Sequence, residues 1–158
     1  MRREDATALV VGLRPAAATD CQQIWLWRND QETREASFNS APIPWDVHER
    51  WFNDALHRDD RKLFVIVADK MLVGTARLDL VEHEAAVSIH LAREWRGRGV
   101  GSSALRALVE HAFGELDIDH LLAKVKPENH ASLAAFAKAG FNRTGSGPVV
   151  RFERWRNR

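Results

Sequence analysis

A glycine-rich turn is the part of this sequence with the clearest chemistry. Residues 96–102 read Arg-Gly-Arg-Gly-Val-Gly-Ser, with glycines at 97, 99 and 101. A turn that leads straight into a helix presents free backbone N–H groups beside the positive end of the helix dipole. Glycine lets the main chain approach an anion closely, because it has no Cβ. The turn therefore predicts a phosphate-binding loop, and the alternative is a flexible surface turn with basic side chains.

Two common phosphate-binding motifs do not fit this turn. A Walker-type loop needs a Gly-Lys pair before Ser or Thr, and the chain contains no Gly-Lys pair. A dinucleotide-binding fingerprint starting at Gly97 needs Gly or Ala where Ser102 stands, and an acid at the end of the next strand, where Lys126 stands. The turn belongs to another class of phosphate site.

Apolar periodicity predicts the elements that position this turn. Strands are predicted at 8–13, 62–68, 71–80, 85–91, 120–125 and 149–155. Helices are predicted from Asp20 to about Asn29, from 45 to about 57, and at 102–116 and 131–139, while 32–44 is predicted as loop with a helical turn. Gly74 indicates a bulge or a close backbone approach. The order predicts an α/β fold with antiparallel hairpins in its middle and one parallel crossover, from 85–91 to 120–126.

Composition excludes several function classes. The chain has 158 residues, with 45% hydrophobic and 28% charged residues, which is typical of one folded domain. With 23 basic and 22 acidic residues there is no overall field for nucleic acid or a membrane, and Glu153 interrupts the basic tail 151–158. The single Cys21 excludes an intramolecular disulfide, and no apolar run is long enough for a bilayer. Met1–Asp5 does not lead into a signal peptide, so we expect a soluble, cytoplasmic protein.

Two motifs together resemble a known family. Arg96-x-x-Gly99-x-Gly101 resembles the acyl-CoA pyrophosphate loop of the GNAT N-acetyltransferase superfamily, and Asn129-x-x-Ser132-x-x-x-Phe136-x-x-x-Gly140-Phe141 is similar to its second signature. With the element order, the resemblance covers about 62–155. It implies a mixed, mostly antiparallel central sheet with one splayed parallel strand pair and about four flanking helices, forming a single acyl-CoA N-acyltransferase domain over 1–158.

The resemblance implies that acetyl-CoA, the acyl donor, lies in the V between the splayed strands, with no metal. The residues that would bind it are Ile89, His90 and Leu91 through their backbone, the loop residues Arg96, Arg98, Gly99, Val100, Gly101 and Ser102, and Asn129 and Ser132 near the thioester or pantetheine. Asn129 is also a good helix cap. Candidates for the 3′-phosphate are Arg98, Lys126 and Arg143, with solvated surface charge as the alternative for each.

The resemblance also implies direct transfer of an acetyl group to a primary amine. A backbone N–H near Leu91 would stabilise the thioester oxyanion. The family's usual tyrosine, which acts as a general acid, falls at Phe136, and the chain contains no tyrosine. The leaving thiolate would then take its proton from Ser132 or from water, or it would leave without a general acid. For the base that deprotonates the amine, Glu84 and His83 are the first candidates and His90 the next.

The N-terminal third is expected to select the amine. Trp27-Arg28-Asn29, then Arg34, and His48-x-x-Trp51-Phe52 resemble N-acetyltransferases of nucleotide-linked amino sugars of the pseudaminic-acid type. Arg28, Arg34 and Arg77 would then meet a nucleotide diphosphate. The alternatives are acetylation of a protein N-terminus or an antibiotic amine, or a non-catalytic acyl-CoA-binding module. The expected partners are therefore acetyl-CoA and a small amine; the last strand and the tryptophans also permit a homodimer.

Overall fold

A computed structural model describes residues 9–145 and 147–157. In this part of the chain, seven strands and five α-helices follow one another. They are β1 Val11–Pro15, α1 Cys21–Asn29, α2 Gln31–Ala36, α3 Trp45–Leu56, β2 Arg61–Ala68, β3 Met71–Val81, β4 Glu84–Leu91, α4 Val100–Glu115, β5 His120–Val125, α5 His130–Lys138, β6 Asn142–Gly145 and β7 Val150–Trp155.

The strands form one seven-stranded sheet in the order β1-β2-β3-β4-β5-β7-β6. All neighbouring pairs are antiparallel except β4 and β5, which are parallel. The predicted fold class, a mostly antiparallel mixed sheet with one parallel pair, is therefore confirmed. A fifth helix, α2, takes the place of the predicted helical turn, and β6 has no counterpart in the prediction. The residues of β6 are polar and mostly exposed at the sheet edge, so no apolar alternation signals them.

The two faces of the sheet bury different hydrophobic clusters. On one face, α4 packs its Leu105 and Leu108 against strand residues such as Val87 and Leu121. On the other face, α1 and α3 place Ile24 and Phe52 over the middle of β2. Helix α3 buries one face because its apolar residues recur at helical spacing, as the sequence predicts. The sheet thus separates one layer of helices from the other.

Gly74 is a position where the backbone fold requires glycine. It pairs with Leu91 at the end of β4, next to a register shift between Ile66 and Val67. A Cβ at this position would lie against the carbonyl of His90. The predicted bulge and close backbone approach are therefore both confirmed.

No helix in the described part of the chain has the length and apolar character needed to cross a lipid bilayer.

Candidate functional site

The parallel strands β4 and β5 separate after a short stretch of pairing. Only three residue pairs join them, from Glu84 with His120 to Ala86 with Leu122. Beyond this point the second half of β4 has β3 on one side and an open gap on the other. The predicted splay between 85–91 and 120–126 is therefore present in the structure.

The backbone of β4 presents alternate residues to this gap. The N–H of Ala92 donates to the carbonyl of Val73 in β3 at 2.8 Å. Because backbone polar groups alternate between the two edges of a strand, those of His90 also face β3, while those of Ile89 and Leu91 face the gap. The prediction that all three residues offer their backbone to pantetheine is thus corrected at His90, whose N–H and carbonyl belong to the sheet.

The glycine-rich loop ends where α4 begins. Gly99 is the N-cap of α4 with φ 80° and ψ 0°, and Gly97 has φ 74°, both in the left-handed region that favours glycine. Val100, Gly101 and Ser102 form the first turn of α4, so their N–H groups have no carbonyl partner within the helix. A helix start of this kind has the geometry that suits an anion, and the phosphate site there stays a prediction.

The side chain of Arg96 is held by polar groups on both sides of the loop. Its guanidinium donates to Glu32 at 2.9 Å, to Asp30 at 3.2 Å and to the hydroxyl of Thr33 at 2.7 Å, all on or just before α2. Its Nε donates to the carbonyl of Leu91 at 3.2 Å. The side chain of Arg96 therefore fixes the loop against α2 and the end of β4.

The gap, the loop, α2 and α5 enclose a cleft of about 710 Å³. It brings together these predicted donor-binding residues: Ile89, His90, Leu91, Arg96, Gly99, Gly101, Ser102, Lys126, Asn129 and Ser132. Lys126 reaches across the cleft and donates to the carbonyl of Glu35 in α2 at 3.0 Å. Helix α2 forms one wall, which no motif in its short polar sequence predicts.

Three other predicted donor contacts lie outside the residues that line the cleft. The side chain of Val100 is buried in the core, so only its N–H can serve the cleft. Arg98 stacks its guanidinium over Trp95, 4.5 Å from the ring centroid. Arg143 is exposed on β6, at the far edge of the sheet.

Asn129 and Ser132 meet at the N-terminus of α5. The Oδ1 of Asn129 accepts a hydrogen bond from the N–H of Ser132 at 3.2 Å. The capping role considered for Asn129 is therefore present. Both residues also border the cleft.

Phe136, where the family has its tyrosine, belongs to the core. It is 2% exposed and packs edge-on against Phe141 and face-on against Phe152, with ring centroids 5.0 and 5.4 Å apart. It is not among the residues that line the cleft. The side chain at this position therefore fills the space beneath α5 and does not reach the donor site.

The predicted bases His83 and Glu84 lie at the opposite end of β4 from the loop. Glu84 starts the strand, seven residues before Leu91, which separates them by about 23 Å. His83 lies in the preceding turn, exposed, with its Nδ1 3.2 Å from the carbonyl of Asp117, and this neighbour raises the pKa of His83. The structure does not agree with the prediction of either residue as the base, because the splay opens at the other end of the strand.

The His90 side chain lies between the donor cleft and the face covered by α1–α3. It borders the cleft and also a second, smaller cavity on that face. Burial, and then the charges of Arg77, Arg28 and Arg96, lower its pKa to about 4. His90 is therefore neutral near pH 7 and can accept a proton or a hydrogen bond.

The predicted acceptor-binding residues separate into two groups. Arg28, His48 and Arg77 lie together on the α1–α3 face, where Arg28 and His48 contact each other at 3.0 Å and Arg28 lines the small cavity with Arg77. Asn29 instead joins its side chain to both backbone groups of Ile43, at 2.9 and 2.7 Å.

Arg34 likewise turns away from the cavity. Its guanidinium donates to the carbonyls of Asn29 and Ser40 at 3.1 Å each. Asn29 and Arg34 therefore hold the segment between α2 and α3, and neither is among the residues that line the small cavity with Arg28 and Arg77.

Comparison with known proteins agrees with this architecture. Residues 11–142 match the model of the acetyltransferase (GNAT) domain family. A probable N-acetyltransferase, YjcK of Bacillus subtilis, is 30% identical over 100 residues, covering 60% of this chain and 55% of that protein. The chain spans about half the length of several curated relatives that it matches. The L-methionine sulfoximine/L-methionine sulfone acetyltransferase of Pseudomonas aeruginosa is 26% identical over 156 residues, covering 90% of this chain and 88% of that protein.

Solved structures show the same fold. Spermidine N-acetyltransferase from Vibrio cholerae, in complex with CoA and spermine, superposes with a TM-score of 0.82 at 21% identity, covering 92% of this chain and 95% of that one. At this identity the likeness concerns the fold alone. Because the family model matches most of the chain, including the splayed strands and the loop, the chain belongs to the GNAT acetyltransferase family.

Proposed function

We propose that this protein is an acetyl-CoA-dependent N-acetyltransferase that transfers the acetyl group directly to a small primary amine. The observation that supports the proposal is that three kinds of group border one cleft. The start of α4, the free backbone edge of β4 and the neutral His90 side chain all border the same cleft. Diphosphate, thioester and amine each have a complementary group there.

The donor would be held through the main chain. The N–H groups around Gly99 and the first turn of α4 would bind the diphosphate, with the helix dipole behind them. The backbone groups of Ile89 that face the gap would pair with the amides of pantetheine as a neighbouring strand does. The N–H of Leu91 faces the same gap, so it is the group that would stabilise the oxyanion at the thioester carbon.

His90 is the titratable side chain best placed to accept a hydrogen bond from the attacking amine. With a pKa of about 4, it would pass the proton on to water and not hold it. It lies beside the thioester end of the cleft and on the acceptor side of β4. The arginines that keep His90 neutral also disfavour an ammonium group beside it, so they favour the neutral, nucleophilic form of the amine. The Ser132 hydroxyl or water would protonate the departing thiolate, because Phe136 lies in the core.

The relatives do not agree on one acceptor amine. The names of the relatives describe different amines, an amino-acid derivative in one and a polyamine in another. They give no support to the pseudaminic-acid branch. A nucleotide-linked amino sugar is kept in the test as the second candidate. Arg28 and Arg77 lie together on the α1–α3 face, but the cavity they line has a volume of about 20 Å³, less than a diphosphate needs. Protein N-termini and antibiotic amines are further arms of the same test.

Release of free thiol from acetyl-CoA tests the proposal. A panel of amino acids, polyamines, aminoglycosides, amino sugars and peptide N-termini should contain an acceptor that releases thiol and gains an acetyl group by mass spectrometry. The His90→Gln variant should lower kcat at least about 100-fold while the affinity for acetyl-CoA stays within about twofold. If acetyl-CoA binds but no amine is acetylated, the protein is an acyl-CoA-binding module instead.

A further inference from the structure

Three arginines from three different elements surround the indole ring of Trp51. The guanidinium carbon of Arg28, from α1, lies 4.3 Å from the ring centroid. Those of Arg61, from β2, and Arg77, from β3, each lie 5.6 Å from it. The indole face provides a partial counter-charge for this cluster of three arginines. Nη2 of Arg77 also donates to the hydroxyl of Ser88 at 3.3 Å.

One carboxylate serves two of these arginines. Asp79 accepts from the Nε of Arg61 at 2.6 Å and from the Nε of Arg77 at 2.9 Å. Arg28 has no carboxylate partner within residues 9–145 and 147–157. Its guanidinium donates a hydrogen bond to Nδ1 of His48 at 3.0 Å. Since one acid faces three bases, the arginine cluster carries an excess of two positive charges.

The neighbouring histidines are neutral and leave this excess of positive charge unchanged. Nε2 of His48 is 2.8 Å from the carbonyl of Cys21, so that nitrogen donates and Nδ1 is the acceptor for Arg28. Burial and the charge of Arg28 lower the pKa of His48, and His90 is neutral as described above. Burial and the two other arginines lower the pKa of Arg28 to about 10. A cation kept partly from water beside like charges is stabilised when an anion binds it.

The arginine cluster opens beside the reacting end of the donor cleft. Arg28, Arg77, Ser88 and His90 line one cavity of about 20 Å³, and His90 forms its boundary with the donor cleft. This volume holds about one water or one small polar group, which suits a carboxylate and not a nucleoside diphosphate. An amine at His90 and an anion at Arg28 would therefore belong to the same small molecule.

We propose that the arginine cluster binds the carboxylate of the acceptor, so that the substrates are amino acids and closely related amino carboxylates. This inference rests on the proposed acetyltransferase function and names its acceptor class. The carboxylate would take hydrogen bonds from the free donors of Arg28 and from Arg77, in the charge-assisted geometry that guanidinium groups favour. Such an anchor holds the α-amino group at the side of β4 where His90 and the thioester meet. Polyamines would be rejected, because their charges have the sign of the cluster.

The sharpest test compares each L-amino acid with its amide. The amide keeps the amine and the side chain, removes the negative charge and has the more easily deprotonated amine. We expect kcat/KM for the best amino acid to exceed that of its amide at least about tenfold. The Arg28→Gln variant should abolish this preference through a higher KM. The Arg50→Gln variant, with the same charge change on an exposed part of α3, should keep it. Equal rates with the amide, or better rates with spermidine or a nucleotide-linked amino sugar, would overturn the inference and leave acetyl transfer intact.

Binding gives a readout that does not need turnover. With CoA present, calorimetric titration with the N-acetyl product of that amino acid, or with N-acetyl-L-methionine if no amine reacts, should show saturable binding to the parent and none to Arg28→Gln. If no amine is acetylated yet this binding is found, the carboxylate site stands and the transferase proposal fails. If neither transfer nor binding is found, both are wrong. Loss of folding in Arg28→Gln is checked by thermal denaturation, and Arg28→Lys, which keeps the charge, should restore part of the affinity.

Discussion

Replacing Gly99 separates the electrostatic role of the loop from its structural role. At this position a Cβ would meet no other atom within 4 Å, and the residue borders the donor cleft. Gly99→Glu and Gly99→Gln have nearly the same size, and both must adopt the left-handed conformation at φ 80°, at a cost of about 1–2 kcal/mol. The two variants differ only in charge. Their comparison therefore isolates the interaction of that charge with the bound diphosphate.

Compared with Gly99→Gln, the Gly99→Glu variant should bind CoA more weakly but be at least as stable to heat. A carboxylate about 4 Å from a phosphate is repelled by about 1 kcal/mol in water and about 4 kcal/mol at an effective protein dielectric constant of 20. With about 1.4 kcal/mol for each tenfold change, the Kd for CoA should be at least about tenfold higher for Gly99→Glu than for Gly99→Gln. A negative charge at a helix N-terminus stabilises the helix by about 0.3–1 kcal/mol. The Gly99→Glu variant should therefore unfold at the same temperature as Gly99→Gln or at a slightly higher one.

Isothermal titration with CoA and differential scanning calorimetry measure the two quantities on the same samples. The reasoning is refuted if the two variants bind CoA equally, since a carboxylate beside the diphosphate cannot be neutral in effect. It is equally refuted if the weaker binding of Gly99→Glu is matched by a lower thermal stability, because the defect would then be one of folding.

Three further expectations follow from the packing and charges. Gly74→Ala should lower the free energy of unfolding by about 1–3 kcal/mol in chemical denaturation, because the added Cβ would meet the carbonyl of His90. Gly12→Ala, whose Cβ meets nothing within 4 Å, should change it by less than about 0.5 kcal/mol. Equal effects of the two substitutions would contradict the close approach at Gly74. Because the pKa of His90 is lowered in the folded protein, its contribution to stability is present above about pH 6.5 and is lost as the pH falls toward 4. Between pH 7.5 and 5.0, the free energy of unfolding of the parent should therefore fall by roughly 2 kcal/mol more than that of His90→Gln. Parallel curves for the two proteins would exclude the lowered pKa. Phe136→Tyr should lower the melting temperature without raising the rate of thiol release, because the added hydroxyl would lie in the core; a faster reaction would place this position at the thioester after all.

The sequence predicted what depends on local backbone chemistry. The glycines of the loop, the start of α4 and the cap formed by Asn129 are each specified within a few residues, and the structure contains all of them. Gly74 was identified for the same reason, since a glycine inside a strand has few roles. The short polar elements α2 and β6 escaped prediction, because neither carries an apolar period.

The assignment of the base shows where local reasoning ends. Counting along β4 from the loop pointed to Glu84 and His83, but the strand extends them away from the splay. The histidine that borders the cleft is His90, and its surroundings come from Arg28, 62 residues away, and Arg77, on the adjacent strand. A pKa of about 4 cannot be inferred from one residue and its neighbours in sequence, because it is a property of burial and of charges from other elements.

By itself, the sequence determined the order of most strands and helices and the glycine-rich loop before α4, since dihedral preferences and hydrophobic periods act over short stretches of chain. Only the tertiary structure decided how far β4 and β5 pair, which edge of β4 is free, and that three arginines and one acid converge on Trp51. Those features depend on packing between segments far apart in the chain, where the shape of the core and the sum of charges act together. The expected acceptor class of this protein follows from them.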